Sequence, residues 1–101
     1  MINANMRNYD YYLYGDENEY GQRTLIADEN GEPIVQGSIK MAINITTQSV
    51  QDHIKYKDSE YMGLTLAPID DRYVIQYGDE RLKVLYINSH GRYKQVFMAG
   101  V

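Results

Sequence analysis

The sequence predicts an all-β protein, a small antiparallel β-barrel or sandwich with one long acidic loop. Three observations predict this class. Apolar and polar residues alternate in several short segments, and clusters of Gly, Asn and Asp separate those segments. The chain has 101 residues with 44% hydrophobic content, which is material for one core. We therefore expect one domain that spans residues 1–101.

The N-terminal half supplies two predicted strands. Tyr9 to Tyr14 is aromatic-rich and ends at Gly15, which predicts the first strand. Val35 to Ile45 is the clearest strand because its apolar and polar residues alternate regularly. The apolar face of this strand is Ile39, Met41, Ile43 and Ile45. Gly37 within it predicts a bulge or a bend.

The segment Thr46 to Tyr56 has a different pattern. Val50 and Ile54 are four residues apart, as one face of a helix requires, and Thr46 or Thr47 is available as an N-cap. We predict one short helical turn here.

The C-terminal half predicts a strand and two hairpins. Glu60 to Leu66 is the strand. Arg72 to Tyr77 and Leu82 to Ile87 flank the loop Gly78-Asp79-Glu80-Arg81, and Asn88-Ser89-His90-Gly91 then leads into Tyr93 to Met98. About five or six strands in so short a chain favour a small barrel or sandwich. The predicted core residues are Ile39, Met41, Ile43, Val84 and Tyr86.

Charge is concentrated in the predicted loop Gly15 to Pro33. Its six acids, against the single base Arg23, are Asp16, Glu17, Glu19, Asp28, Glu29 and Glu32. The loop thus carries −5, and because the whole chain carries −4, the rest sums to +1. Thr24-Leu25-Ile26 before the turn signal Asp28 to Gly31 indicates a short hairpin within it.

We expect this loop to be solvated and poorly ordered in the free protein, because its carboxylates repel one another and cannot enter a core. A loop this long is often functional. We predict that its partner-binding residues are Asp16, Glu17, Glu19, Tyr20, Gln22 and Arg23. An ordinary solvated connection explains the charge equally well.

No residue pattern predicts catalysis, a metal site or a cofactor. The two histidines, His53 and His90, lie far apart in the chain, and a catalytic site needs several converging groups. Asp28 to Glu32 lacks the ligand spacing of a calcium loop, and Asp70-Asp71 is explained by a turn. We therefore expect a protein that is not an enzyme.

Composition also indicates the cellular compartment in which the protein is made. The chain contains no cysteine, so it has no disulfides. Its N-terminus lacks the apolar region of a signal peptide, and no apolar run approaches the ~20 residues of a membrane helix. We expect a soluble protein made in the cytoplasm, without membrane contact. The net charge of −4 opposes binding to a nucleic-acid backbone.

Three stretches, Gly37 to Ile43, Tyr61 to Thr65 and Tyr73 to Met98, resemble the head-completion, or head-closure, connector proteins of siphophages and of prophages of Gram-positive bacteria. The resemblance runs from about Tyr9 to Met98 in the order acidic loop, long strand, Tyr-rich middle and terminal hairpins. It implies a β-barrel with one long loop, and a ring of identical subunits in the virion neck, between the portal vertex and the tail. Its partners would be a portal or adaptor protein, tail proteins and copies of itself. The ring would enclose DNA without sequence-specific binding. Tail-completion and neck-adaptor proteins are the nearest alternatives, the former because they are also small and contain β-structure.

A second class of function is a small acidic protein that inhibits a nucleic-acid-binding host protein by placing carboxylates where phosphates would lie. Such an inhibitor needs its acids spread over a rigid face. The sequence concentrates them in one loop, which favours the connector.

Overall fold

The computed structural model describes residues 6–45 and 59–101. Six strands pair antiparallel throughout, in the order β1-β2-β3-β6-β5-β4, and pairing of β4 with β1 closes the barrel. Their bounds are β1 (Arg7–Leu13), β2 (Gly37–Ile45), β3 (Tyr61–Thr65), β4 (Tyr73–Tyr77), β5 (Glu80–His90) and β6 (Tyr93–Gly100). The predicted all-β class and small antiparallel barrel are confirmed. The sheet closes on itself as a barrel and not as a sandwich.

The predicted helical turn in Thr46 to Tyr56 lies outside the described residues. Residues 6–45 and 59–101 contain no helix.

Both C-terminal hairpins are present, with tighter turns than the sequence predicted. Glu80 and Arg81 pair with Tyr77 and Gln76, so only Gly78-Asp79 remains as the first turn. The second turn is the two residues 91–92, since the residues before it also pair with β6. Glycine followed by a polar residue is typical of two-residue hairpin turns.

The barrel interior is filled by aliphatic, Met and Tyr side chains from all six strands. The buried members of this cluster are Ile39, Met41, Ile69, Ile75, Leu82, Val84, Val96 and Met98. Of the predicted core on β2, Ile39 and Met41 are buried and Ile43 is partly buried. Ile45 is 75% exposed, because it lies at the last position of β2, where the barrel ends.

A β-bulge in β5 overturns the prediction that Tyr86 is a core residue. Val84 lies opposite Met98 and Tyr86 lies opposite Phe97, so Leu85 is an extra residue in β5. The extra residue reverses the alternation of β5 beyond it, and Ile87 packs on the core in place of Tyr86.

No bulge occurs at Gly37, where one was predicted. Gly37 begins β2 and pairs in register with Tyr11 of β1. A Cβ atom here would lie 3.2 Å from the Tyr11 ring, so glycine makes room for that side chain.

The antiparallel order gives the barrel two distinct ends. At one end of the barrel β1 ends, β2 begins, and a turn connects β5 to β6. We call this end the arm end. The β3–β4 connection also crosses the arm end, where Ile69 is buried and Ala67 packs against the core. Thr65 holds this connection, because its hydroxyl donates to the Lys40 carbonyl (2.7 Å) and accepts the Ala67 N–H (3.1 Å).

Candidate functional site

The segment between β1 and β2 forms an arm, defined as residues 15–35, that begins with a tight turn. The Asn18 N–H donates to the Gln22 carbonyl (2.8 Å), and the Gly21 N–H donates to the Asn18 carbonyl (3.0 Å). The Asn18 side-chain oxygen accepts the N–H groups of Tyr20 (2.9 Å) and Gln22 (3.0 Å). Gly21 has φ 77°, a conformation that glycine adopts without strain.

A second turn in the arm repeats this arrangement. The Asp28 N–H donates to the Glu32 carbonyl (2.9 Å), and the Gly31 N–H donates to the Asp28 carbonyl (3.0 Å). The Asp28 carboxylate accepts the N–H groups of Asn30 (2.9 Å) and Glu32 (3.0 Å), and Gly31 has φ 83°. Asn-Glu-Tyr-Gly-Gln and Asp-Glu-Asn-Gly-Glu are thus two copies of one turn. The sequence interpretation found only the second, although the spacing of Asn18 and Gly21 carried the same signal.

A short extended segment between the turns, residues 24–27, fixes the arm to the barrel through backbone hydrogen bonds. The Ile26 N–H donates to the Leu13 carbonyl, the Gly15 N–H to the Thr24 carbonyl and the Ile34 N–H to the Ile26 carbonyl, each at 2.9 Å. The predicted hairpin around the second turn is therefore present. Isolated antiparallel bridges join this segment to Tyr14 through Leu25 and to Pro33 through Ala27, so β-type pairing continues past the end of β1. The arm differs in this respect from the poorly ordered loop that the charge count predicted.

Arg23 anchors the base of the arm. Its guanidinium lies 5.0 Å from the centre of the Tyr14 ring, and its Nη1 lies 3.8 Å from Oδ1 of Asp71 in the β3–β4 connection. An exposed ion pair of this kind contributes about 0–1 kcal/mol. Arg23 was predicted to bind a partner, but here it contacts the barrel.

The other five predicted site residues surround the first turn. Asp16, Glu17, Glu19 and Tyr20 are exposed, and the Gln22 backbone closes the turn. All six carboxylates of the arm are exposed, and none forms an ion pair with another described residue.

The arm also presents apolar side chains to solvent, and sequence reasoning singled out only one of them, Tyr20. Its exposed large apolar residues are Tyr20 (79%), Ile26 (39%), Ile34 (41%) and Val35 (46%). These are half of the exposed large hydrophobic residues in the described parts of the chain. The sequence signal that could have identified them is the presence of large apolar residues within an otherwise polar loop. We call the exposed carboxylates and these four side chains the arm surface.

Tyrosines line the opposite end of the barrel. The Tyr77 ring lies 5.2 Å from that of Tyr61 and 5.8 Å from that of Tyr9, centre to centre. The Tyr61 hydroxyl donates to Glu80 Oε2 at 2.8 Å, and this bond is the main cause that raises the pKa of Tyr61. Burial raises the pKa of Tyr9. At the arm end the Tyr73 ring stacks on that of Tyr11, 4.7 Å centre to centre, and burial raises the pKa of Tyr73 as well.

These raised pKa values predict alkaline destabilisation. The folded chain keeps phenol protons that the unfolded chain, with an ordinary pKa of 10.0, releases. The stability that the folded chain gains from these raised pKa values is therefore fully present below about pH 10, and it is lost as the pH rises above that value. We expect the Tm to fall as the pH rises above about 10. Tyr61→Phe should reduce that fall, and Tyr20→Phe on the arm is the matched control. Equal slopes for both variants would contradict the assignment to Tyr61.

The paired turns give a second prediction with an internal control. Asn18→Ala removes the acceptor for two amides, so hydrogen exchange at Tyr20 and Gln22 should accelerate by an amount worth about 1 kcal/mol. Exchange at Asn30 and Glu32 should not change. Asp28→Ala should give the reverse result. Acceleration in both turns by either variant would show that the arm opens as one unit.

Two further observations concern metal ligands and buried polar atoms in the described residues. In residues 6–45 and 59–101 no three His, Cys, Asp or Glu side chains are grouped to bind a metal. Within the same ranges, every buried side-chain nitrogen or oxygen has a hydrogen-bond partner.

No family model matches the chain, and neither a curated protein nor a solved structure shows significant similarity to it. No helix in the described part of the chain is long and apolar enough to cross a membrane. The arguments for function below therefore start from the barrel and its arm.

Proposed function

We propose that this protein is a structural connector subunit of a tailed bacteriophage, which assembles as a ring in the neck of the virion, between portal and tail. The observation that carries the proposal is the arm, an acidic extension with exposed apolar side chains that is hydrogen-bonded to one end of a closed barrel. The subunit would be made in the cytoplasm of the bacterial host.

The closed barrel limits how subunits can associate. Every strand of a closed sheet has neighbours on both sides, so strand-to-strand joining through a free edge is not the main route. Association then depends on side-chain surfaces and on the arm. Exposed apolar residues in one cluster are typical of a surface that binds protein.

The charge of the arm suits a ring that encloses DNA. Each copy would add five net negative charges to a collar at the arm end. Such a collar repels phosphates, so a duplex would pass through without binding. A portal or adaptor protein and the tail proteins would contact the remaining faces of the ring.

The second candidate is a small acidic inhibitor of a nucleic-acid-binding host protein. One observation favours it: both turns are closed by hydrogen bonds, which gives the carboxylates of the arm defined positions. The acids nevertheless lie on one arm and not over a broad face.

Shortening the arm tests the connector proposal. In the shortened chain Asn-Gly replaces residues 15–34, which leaves the loop Tyr14-Asn-Gly between Leu13 and Val35, a length common in hairpins. The barrel should keep its free energy of unfolding within about 1 kcal/mol, because loop length affects closure entropy weakly. When this chain is the only source of the protein, particles should lose DNA or fail to join tails. Intact, infectious particles would show that the arm is only a connection.

A further inference from the structure

The hairpin of β5 and β6 has a charge opposite to that of the arm. Residues 81–101 contain four bases, Arg81, Lys83, Arg92 and Lys94, and no acid. Arg81 is engaged within its own barrel, since its guanidinium lies 5.0 Å from the centre of the Tyr12 ring. Lys83 and Arg92 are exposed, Lys94 is partly buried, and none of these three forms an ion pair with another described residue. We call residues 81–101 the basic hairpin.

The barrel places the arm and the basic hairpin on opposite sides. The arm continues β1, and β6 lies three strands from β1 in a closed barrel of six. Both features lie at the arm end, because the turn between β5 and β6 is located there. The arm of one chain is held to its own β1, on a different side from its hairpin tip, and the arm of a neighbour placed beside it can reach that tip.

Both surfaces also carry exposed apolar side chains. The arm surface has Tyr20, Ile26, Ile34 and Val35, and the basic hairpin has Leu85, the bulge residue of β5, which is 39% exposed. Exposed apolar side chains together with complementary charge are typical components of a protein interface.

We propose that the arm surface of one subunit docks on the basic hairpin of a second copy of this chain. The inference rests on the proposed function and identifies the contact that would build the ring. Two different surfaces on opposite sides of one subunit make a head-to-tail contact, and such a contact builds a ring when the rotation from each subunit to the next closes. The same contact would neutralise part of the charge that keeps the arm solvated.

Charge reversal on each side tests the contact. The arm variant is Glu17→Lys with Glu19→Lys, and the hairpin variant is Arg92→Glu with Lys94→Glu. Arg92→Glu alone serves if the reversal of the partly buried Lys94 prevents folding. Asp79→Lys, in the β4–β5 turn, and Arg7→Glu, at the start of β1, are matched controls at exposed positions, because both lie at the end of the barrel opposite the arm and the hairpin tip.

Sedimentation equilibrium at low salt and high protein concentration measures the outcome. The natural chain should associate weakly, and added salt should weaken that association. The arm and hairpin variants should each reduce the association constant by at least about tenfold, and the controls should leave it unchanged. An equimolar mixture of the two variants should associate again, because each reversed surface then meets an opposite charge.

Three results would overturn the inference: a natural chain that stays monomeric, reversals that leave association unchanged, or a mixture that does not recover. The shortened chain separates these failures from a failure of the connector role. If shortened particles still lose their tails while this pairing fails, the protein is a connector whose ring is built through another surface.

Discussion

Replacing Ile39 by alanine should lower the free energy of unfolding by about 2–5 kcal/mol, whereas Ile45→Ala should change it by less than about 0.5 kcal/mol. Ile39 is 4% exposed and packs in the barrel core, so its removal leaves a cavity. Ile45 is 75% exposed at the end of the same strand. Urea denaturation of both variants measures the difference.

This pair is a stringent test because the two residues are alike in every respect that the sequence shows. Both are isoleucines on the same face of one alternating strand, and only their distance from the end of the barrel differs. A domain of this size has roughly 5–15 kcal/mol of stability, so the loss at Ile39 would be a large fraction. Similar losses for the two variants would show that the core extends past the end of β2.

The sequence predicted the strands and the barrel class because alternation with period two is a local property of the chain. It did not locate the bulge, because Val84, Leu85, Tyr86 and Ile87 are all apolar and fit either face. Which of them enters the core depends on the register with β6, and that register is a property of two strands. The misassignment of Tyr86 follows from this.

The candidate site was only partly predictable for a similar reason. Charge predicted that the arm would be solvated, and Tyr20 was assigned to partner binding. The contacts of Arg23 with Tyr14 and Asp71 were not visible, because Asp71 is distant in the chain and is brought close only when the barrel closes. Ile26, Ile34 and Val35 would be assigned to a core by their type alone, and only their place on the arm leaves them exposed.

Gly63→Ala should lower the free energy of unfolding by about 1–3 kcal/mol, because alanine overpacks the barrel interior. Gly63 lies in β3, and a Cβ atom there would contact Met41 Sδ, with Met41 Cγ at 3.0 Å and Met98 Cε at 3.1 Å. Both methionines are fully buried and have little space in which to move. An opposing effect is that alanine gives the unfolded chain less backbone entropy than glycine does. By itself this would stabilise the alanine variant by roughly 0.5–1 kcal/mol.

The sign of the change in the free energy of unfolding therefore shows whether overpacking or the entropy of the unfolded chain is the larger effect. Gly15→Ala is the matched control, since a Cβ atom there would lie at ordinary contact distances of 3.6 Å from Ile26 and 3.7 Å from Thr24, and this variant should be neutral or slightly stabilised. In a Met41→Ala background, where the contacted side chain is gone, Gly63→Ala should cost less or become stabilising. If Gly63→Ala stabilises the chain with Met41 present, the two methionines rearrange easily, and the tight interior assigned to this barrel is wrong.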